Sequence, residues 1–271
     1  MKTKTCKVNL LMQVCIVSDS YGGVKFPCAI LTGNPGSAIF ILKIMDERYE
    51  RNLGTLTQAE QELLSGKRAA VAGCGGLGGY IVEFLARIGV GSLTLIDGDV
   101  FTASNLNRQL ISLESNLGKN KAEEAGKRAH QIRAGINTAV FDIFLDDGNA
   151  TELLKGHDVI LDALDSVKTR LLVEKAACAL GIPLVHGAVE GWCAQVSTVF
   201  PGEPVLSMLY PGNRELSREP EKPSVLSFTT AFCASLQVAE AVKVLLGKEN
   251  ILRKKLLTAD MRSCSFDIIG L

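Results

Sequence analysis

The sequence predicts an α/β protein: a Rossmann-like, mostly parallel sheet with helices on both faces and antiparallel strands added at the C-terminal end. Three observations predict it. The apolar run 67–72 leads into the turn Gly73-x-Gly75-Gly76-x-Gly78, and apolar residues at helical spacing follow (Leu77, Ile81, Phe84, Leu85, Ile88). Short apolar runs then recur along the chain, as buried parallel strands require. The composition, 47% hydrophobic with 26 glycines in 271 residues, suits one large α/β core.

Residues 1–44 show apolar bursts and turn fragments without a sustained period. They read either as an extension upstream of a true start at Met45 or as a small appendage packing a hairpin. Residues 45–271 read as the functional domain. Its lead-in, 46–65, is polar and helical, with Thr57 as N-cap and Glu60 completing a capping box. Strands are expected at 68–72, 92–96, 138–144, 157–162, 182–187 and 194–200, and a helix at 77–88. Residues 201–227 hold Pro204, Pro211, Pro220 and Pro223 and form a long loop of the kind that carries function. An apolar helix then spans 228–246, with Ala231, Ser235, Ala239 and Ala241 small enough for close packing.

The glycine turn specifies a nucleotide site. Glycine permits a positive φ and a close ligand, and the free N–H groups at a helix N-terminus attract phosphate. Asp97 falls at the end of the second strand, roughly 20 residues after Gly78, where a carboxylate reaches ribose hydroxyls. So far the pattern would equally suit an NAD-dependent dehydrogenase. The polar residues that follow separate the two. Asp99, the segment Ser104-Asn105-Leu-Asn-Arg108-Gln109, Lys121 and the stretch Asp162-Ala-Leu-Asp165 all follow strands whose ends share one rim if the crossovers are right-handed. Arginine and lysine there neutralise a triphosphate, and Asp165 offers magnesium the oxygen ligand a hard cation prefers. A dinucleotide needs no such set. Two plainer alternatives stay open: Lys119, Lys121 and Lys127 as a solvated helix face, and Asp99 as a turn cap.

In these motifs, over about residues 48–247, the chain resembles the adenylyltransferases that activate ubiquitin-like proteins, the family of ThiF, MoeB, HesA and the ubiquitin-activating enzymes. The resemblance implies that 45–271 is an ATP-binding adenylyltransferase domain. It implies that Gly73, Gly75, Gly76, Gly78 and Asp97 seat ATP, with Asp99 beside them, that Asn105, Arg108 and Lys121 hold its phosphates, and that Asp165 holds Mg2+. Arg48-Tyr-Glu-Arg51 resembles an N-terminal family element whose second arginine reaches into the partner subunit's site, which implies a homodimer. The implied substrate is a small ubiquitin-like sulfur carrier ending in Gly-Gly. Its C-terminal carboxylate, already nucleophilic at neutral pH, would attack the α-phosphorus, so positioning and charge neutralisation would supply the catalysis.

The cysteines mark departures. Many family members carry two Cys-x-x-Cys pairs that hold zinc; this sequence has none, so no zinc is expected. Other members use a cysteine in the loop corresponding to 201–227, which here holds none. Cys193 is the nearest candidate for a covalent link and reads instead as a small apolar residue beside a strand, while Cys178 and Cys233 read as core. Among the histidines only His186 stands where it could face the site, and a satisfied core histidine is the better reading. The 29 basic residues balance 29 acidic ones, which argues against an extended nucleic-acid surface. Scattered cysteines indicate a cytoplasmic protein. No apolar run approaches about 20 residues, so no membrane span is expected. The competing functions are a tRNA threonylcarbamoyladenosine dehydratase, disfavoured by the neutral charge, a degenerate binding subunit, disfavoured by intact Arg108, Lys121 and Asp165, and more distantly an oxidoreductase.

Overall fold

The computed structural model describes residues 46–211 and 224–271 throughout, and before them only short backbone strands between 15 and 43. Most of the expected extension 1–44, and the 212–223 part of the long loop, lie outside the described residues. The chain divides into two compact units, Met1–Gln61 and Glu62–Leu271.

In the first unit, β1 (Cys15–Val17), β4 (Ala29–Thr32) and β5 (Phe40–Lys43) form an antiparallel sheet in the order β1-β4-β5, and β2 (Ser20–Tyr21) pairs with β3 (Val24–Lys25). The lead-in is not one helix. A 3-10 helix, Glu47–Asn52, ends at Leu53, and α1 (Gln58–Ser65) starts afresh behind the capping box expected from Thr57 and Glu60. The Thr57 N–H donates to Glu60 Oε2 at 2.8 Å, and the Glu60 N–H donates to Thr57 Oγ1 at 3.2 Å. A capping box satisfies orphan N–H groups at a new helix start, which is why it marks the break.

The second unit is built on one eight-stranded sheet. Its parallel part comprises β6 (Arg68–Ala72), β7 (Ser92–Ile96), β8 (Asn137–Phe141), β9 (Val159–Asp162) and β10 (Leu184–Glu190); β11 (Cys193–Val199), β12 (Lys255–Asp260) and β13 (Ser265–Gly270) continue it antiparallel. The order β13-β12-β11-β10-β9-β6-β7-β8 places β6 between β7 and β9. Chain direction around the sheet therefore reverses between β6 and β9, the switch point where open α/β sheets bind ligands at their strand ends.

Helices cover both faces. On one face, α2 (Gly76–Ile88) packs against α3 (Lys121–Ile132) and α7 (Ser227–Leu246). On the other, α4 (Ala150–Leu154), α5 (Val167–Leu180) and α6 (Val205–Leu209) enclose a core containing Ala70, Ala72, Ile160, Leu184, Val173 and Leu206. Each fully buried aliphatic side chain in it contributes about 1.5–3 kcal/mol.

By length and composition α7 is apolar enough to cross a membrane. It is a core helix instead: half of it is buried, and it carries buried Gln237 and Glu240 with partners inside the protein. Gln237 Nε2 donates to the Asp162 and Val185 carbonyls, and Glu240 Oε2 accepts from Thr198 Oγ1 at 2.8 Å and the Leu252 N–H at 2.7 Å.

Candidate nucleotide site at the strand-end rim

Strand register brings the functional segments together. Ala72 lies opposite both Ile96 and Asp162, so the glycine turn, Asp97 and the turn after β9 leave the sheet at the same level. Two glycines are dictated by crowding. Gly73 has φ +93°, and a Cβ there would sit 2.7 Å from the Ala163 carbonyl oxygen; a Cβ on Gly78 would sit 1.9 Å from the Gly73 oxygen. Only hydrogen fits, so the backbone reaches the ligand side without a wall of side chains. Gly75 caps α2 without any side-chain hydrogen bond, which leaves the helix N-terminus available to an anion.

Asp97 Oδ2 accepts the Cys74 N–H at 2.7 Å, and Oδ1 accepts the Asp99 N–H at 2.9 Å. Burial pushes its carboxyl up from the ordinary value, although these N–H donors and Lys121 pull the other way. Burial, followed by the Asp97 charge, also holds the Cys74 thiol well above its usual range, so this cysteine in the turn is no nucleophile.

Lys121 is not on a solvated face. It opens α3 only 7% exposed, and its Nζ pairs with Asp99 Oδ2 at 2.9 Å. Asp99 is thus an ion-pair partner rather than a mere turn cap, and its side chain is exposed. Lys127 does lie on the solvated face, paired with Glu124.

The segment 104–112 lies over the start of α2. Asn105 is buried, and its Oδ1 accepts the Thr102 N–H at 3.0 Å, which fixes the amide and leaves Nδ2 as donor. Arg108 Nη1 donates to the Ser104 carbonyl at 2.9 Å and to Asn107 Oδ1 at 3.0 Å. Gln109 stands beside Gly75, where a Cβ would come within 3.4 Å of its Nε2. Its buried Oε1, an acceptor, has no hydrogen-bond partner among the described residues. Sequence reasoning quoted Gln109 within a motif but assigned it no role; its place next to Arg108 was the signal.

Asp165 follows β9 in an exposed turn, and among the described residues its carboxylate has no partner. No cluster of three His, Cys, Asp or Glu groups occurs among those residues. One free carboxylate beside a phosphate cradle nevertheless fits magnesium, which is held by one or two carboxylates together with substrate phosphates. The uncapped helix start, Asn105 Nδ2, Arg108 and Lys121 fit a polyphosphate on the same terms. Arg51 lies in the first unit, exposed on its 3-10 helix.

His186 is the satisfied core histidine expected, fully buried against Asp162. Cys233 is core as expected, its thiol pushed up to about 12 by burial. Cys178 is exposed instead, because it lies on the outer side of α5, and Cys193 is exposed at the start of β11. A cavity of about 410 Å³ lies between α5 and the segment from β11 to α6, lined by Leu171, Cys178, Ile182 and Val199 among others. None of the rim residues named above lines it.

The sequence model of the ThiF family matches residues 49–270. Similar proteins include the SAMP-activating enzyme E1 of Haloferax volcanii, 32% identical over 227 residues that span 82% of this chain and 84% of that protein. The sulfur carrier protein adenylyltransferase of Thermus thermophilus is 34% identical over 81% of this chain and 85% of its own. The molybdopterin-synthase adenylyltransferase of Escherichia coli is 34% identical over 76% and 84%. Among solved structures, Escherichia coli MccB with ATP superimposes with a TM-score of 0.71 at 21% identity, covering 83% of this chain and 72% of that one. That last likeness concerns the fold.

Proposed function

The chain belongs to the ThiF family and is an adenylyltransferase that uses ATP, and from that premise we propose that it adenylates the C-terminal glycine of a ubiquitin-like sulfur carrier. One observation carries the reading: a single rim presents an uncapped helix start, the cations Arg108 and Lys121, and an unpartnered Asp165 carboxylate. The names of the similar proteins support the substrate class.

Asp97 holds the ribose, and the glycine turn seats the phosphates over α2. Asn105 Nδ2, Arg108 and Lys121 donate to phosphate oxygens, and Gln109 Nε2 stands beside the glycine turn as a further donor. Asp165 holds magnesium, which when bound offsets phosphate charge. The carrier's terminal carboxylate oxygen forms a bond to the α-phosphorus as the bond to the bridging oxygen of pyrophosphate breaks, and pyrophosphate leaves with that electron pair. No general base is needed. The site contributes orientation and preorganised positive charge.

Residues 201–227 hold no cysteine, so the acyl-adenylate passes to a separate sulfur donor, and the protein works without zinc in the cytoplasm. We read residues 45–271 as the adenylyltransferase domain and residues 1–44 as an extension preceding it. The working form is a homodimer, with Arg51 completing the partner's site. Exposed Val100, Leu106, Leu110, Leu113 and Leu117 along one segment of the second unit supply an apolar surface for that interface.

ATP–pyrophosphate exchange tests the substrate. Exchange should require a carrier from the same genome ending in Gly-Gly and vanish when its last glycine is removed. Indifference to that glycine, or a requirement for tRNA, would overturn the reading. For the dimer, Arg51→Ala mixed with Arg108→Ala should regain activity, since one site of the mixed dimer keeps both arginines. Inactive mixtures after proven subunit exchange count against action in trans.

A further inference from the structure

A second polar cluster lies at the same rim, and it is sealed. Asp162, at the end of β9, is fully buried and faces His186 on β10, also fully buried; His186 Nδ1 lies 2.7 Å from Asp162 Oδ2. On the other side of the ring, Tyr210, the C-cap of α6, brings its hydroxyl within 3.3 Å of His186 Nε2. The phenol oxygen accepts from Arg170 Nη1 and from Gln195 Nε2, both at 2.9 Å. With its two lone pairs so engaged, its proton points to His186 Nε2, while His186 Nδ1 faces Asp162 Oδ2. Every member is matched.

Arg170 carries this order outward. Its Nε and Nη2 both donate to the Leu164 carbonyl, at 3.0 and 2.6 Å, and its guanidinium lies 3.9 Å from Asp162. Leu164 immediately precedes Asp165. The brace behind Arg170 is firm, because Glu174 on α5 accepts the Leu206 and Ser207 N–H groups at the start of α6, at 2.6 and 3.2 Å. Helix α6 is therefore pinned to α5 at both ends. Arg170 is a buried arginine whose remaining donors are committed to Tyr210 and to the neighbourhood of Asp162. It directs two of its donors to the carbonyl of an exposed turn whose next side chain has no partner of its own.

We propose that Arg170 and Tyr210 are positioning residues for the adenylation: they fix the Leu164 carbonyl and thereby aim the Asp165 carboxylate at the magnesium-bound nucleotide. The inference rests on the reading of Asp165 as the magnesium ligand. Without the grip on Leu164 the turn samples several conformations, and Asp165 must be ordered anew each time the metal binds.

The test is calorimetric titration of the full chain with ATP, with and without Mg2+, for the wild type, Asp165→Asn, Tyr210→Phe and Arg170→Lys. The readout is the gain in ATP affinity on adding the metal, beside the melting midpoint. Asp165→Asn should lose the gain. Tyr210→Phe should reduce it roughly threefold to tenfold, the worth of about one hydrogen bond, with metal-free ATP binding unchanged. Arg170→Lys should reduce it further. A merely structural role would lower the melting midpoint and leave the gain untouched, and that result in Tyr210→Phe overturns the proposal; should Arg170→Lys fail to fold, Tyr210→Phe decides alone. A full gain in Asp165→Asn would refute the reading of Asp165 itself, and the inference with it.

Discussion

On the β6–β7 side of the rim, polar groups are left with free valences. The start of α2 has no side-chain cap, Gln109 Oε1 has no partner, and Lys121 is held by an exposed aspartate. On the β9–β10 side, Asp162, His186 and Arg170 are buried, and together with half-buried Gln195 and Tyr210 they are matched to one another. The two sides use the same residue types to opposite ends. Unmatched buried polar groups lower the stability of the empty protein and become matched when a ligand arrives, whereas a closed network holds the backbone whether or not one is bound. Asp165 joins the two: it is free like the first side, and its turn is held by the second.

The comparison breaks most readily at Asp165. Asp165→Ala should lower pyrophosphate exchange by roughly three orders of magnitude while leaving the melting midpoint in place, since an exposed carboxylate without a partner contributes no packing. Normal exchange in this variant would remove Asp165 from the site.

Asp162→Ala should do the reverse. Removing one member of the sealed network leaves His186 and Arg170 without a counterpart, a loss of about 3–5 kcal/mol. For a unit of this size that lowers the melting midpoint by on the order of 10 °C. A thermal melt that matches the wild type would show that the network does not hold the fold.

A smaller and finer contrast lies in the pH dependence of Asp97. Its carboxyl is raised by burial, so the folded protein binds that proton more tightly than the unfolded chain does. The resulting stability is complete below the ordinary aspartate value of 3.8 and is lost as pH rises through the higher folded value. Asp97→Asn, which does not titrate, should therefore gain on the wild type in urea midpoint as pH rises through that window, and the difference between the two should then stay constant. It should also bind ATP more weakly. A difference that stays level with pH would mean that burial of the charge is not what Asp97 costs the fold.

Much of the nucleotide side was legible in the sequence because its demands are local. The strands at 68–72 and 92–96 were found to the residue, since a strand buried on both faces reads as an unbroken apolar run. The turn Gly73–Gly78 follows from steric crowding within a few residues. The strand expected at 138–144 stops at Phe141, because Asp142 turns aside to accept Asn120 Nδ2 at 2.7 Å and Phe144 closes over Gly98. Helices α4 and α6 are not legible as elements, since five residues are too few for a helical period to show.

By itself, then, the sequence determined the family, the fold class, the glycine turn and the candidate residues along the rim, all of which show in backbone demands or in the spacing of short motifs. Only the tertiary structure decided that Lys121 is buried on Asp99, that Gln109 stands unpartnered at the glycine turn, and that Asp162 is sealed by His186 and Arg170 while Asp165 is left free. Asp162 and Asp165 are three residues apart and chemically identical. What separates them is the register of β9 against β10, which sets His186 opposite Asp162, and the docking of α6 on α5, which brings Tyr210 to Arg170. Pairings between residues far apart in the chain are fixed by packing of whole elements, and no local pattern of residues encodes them.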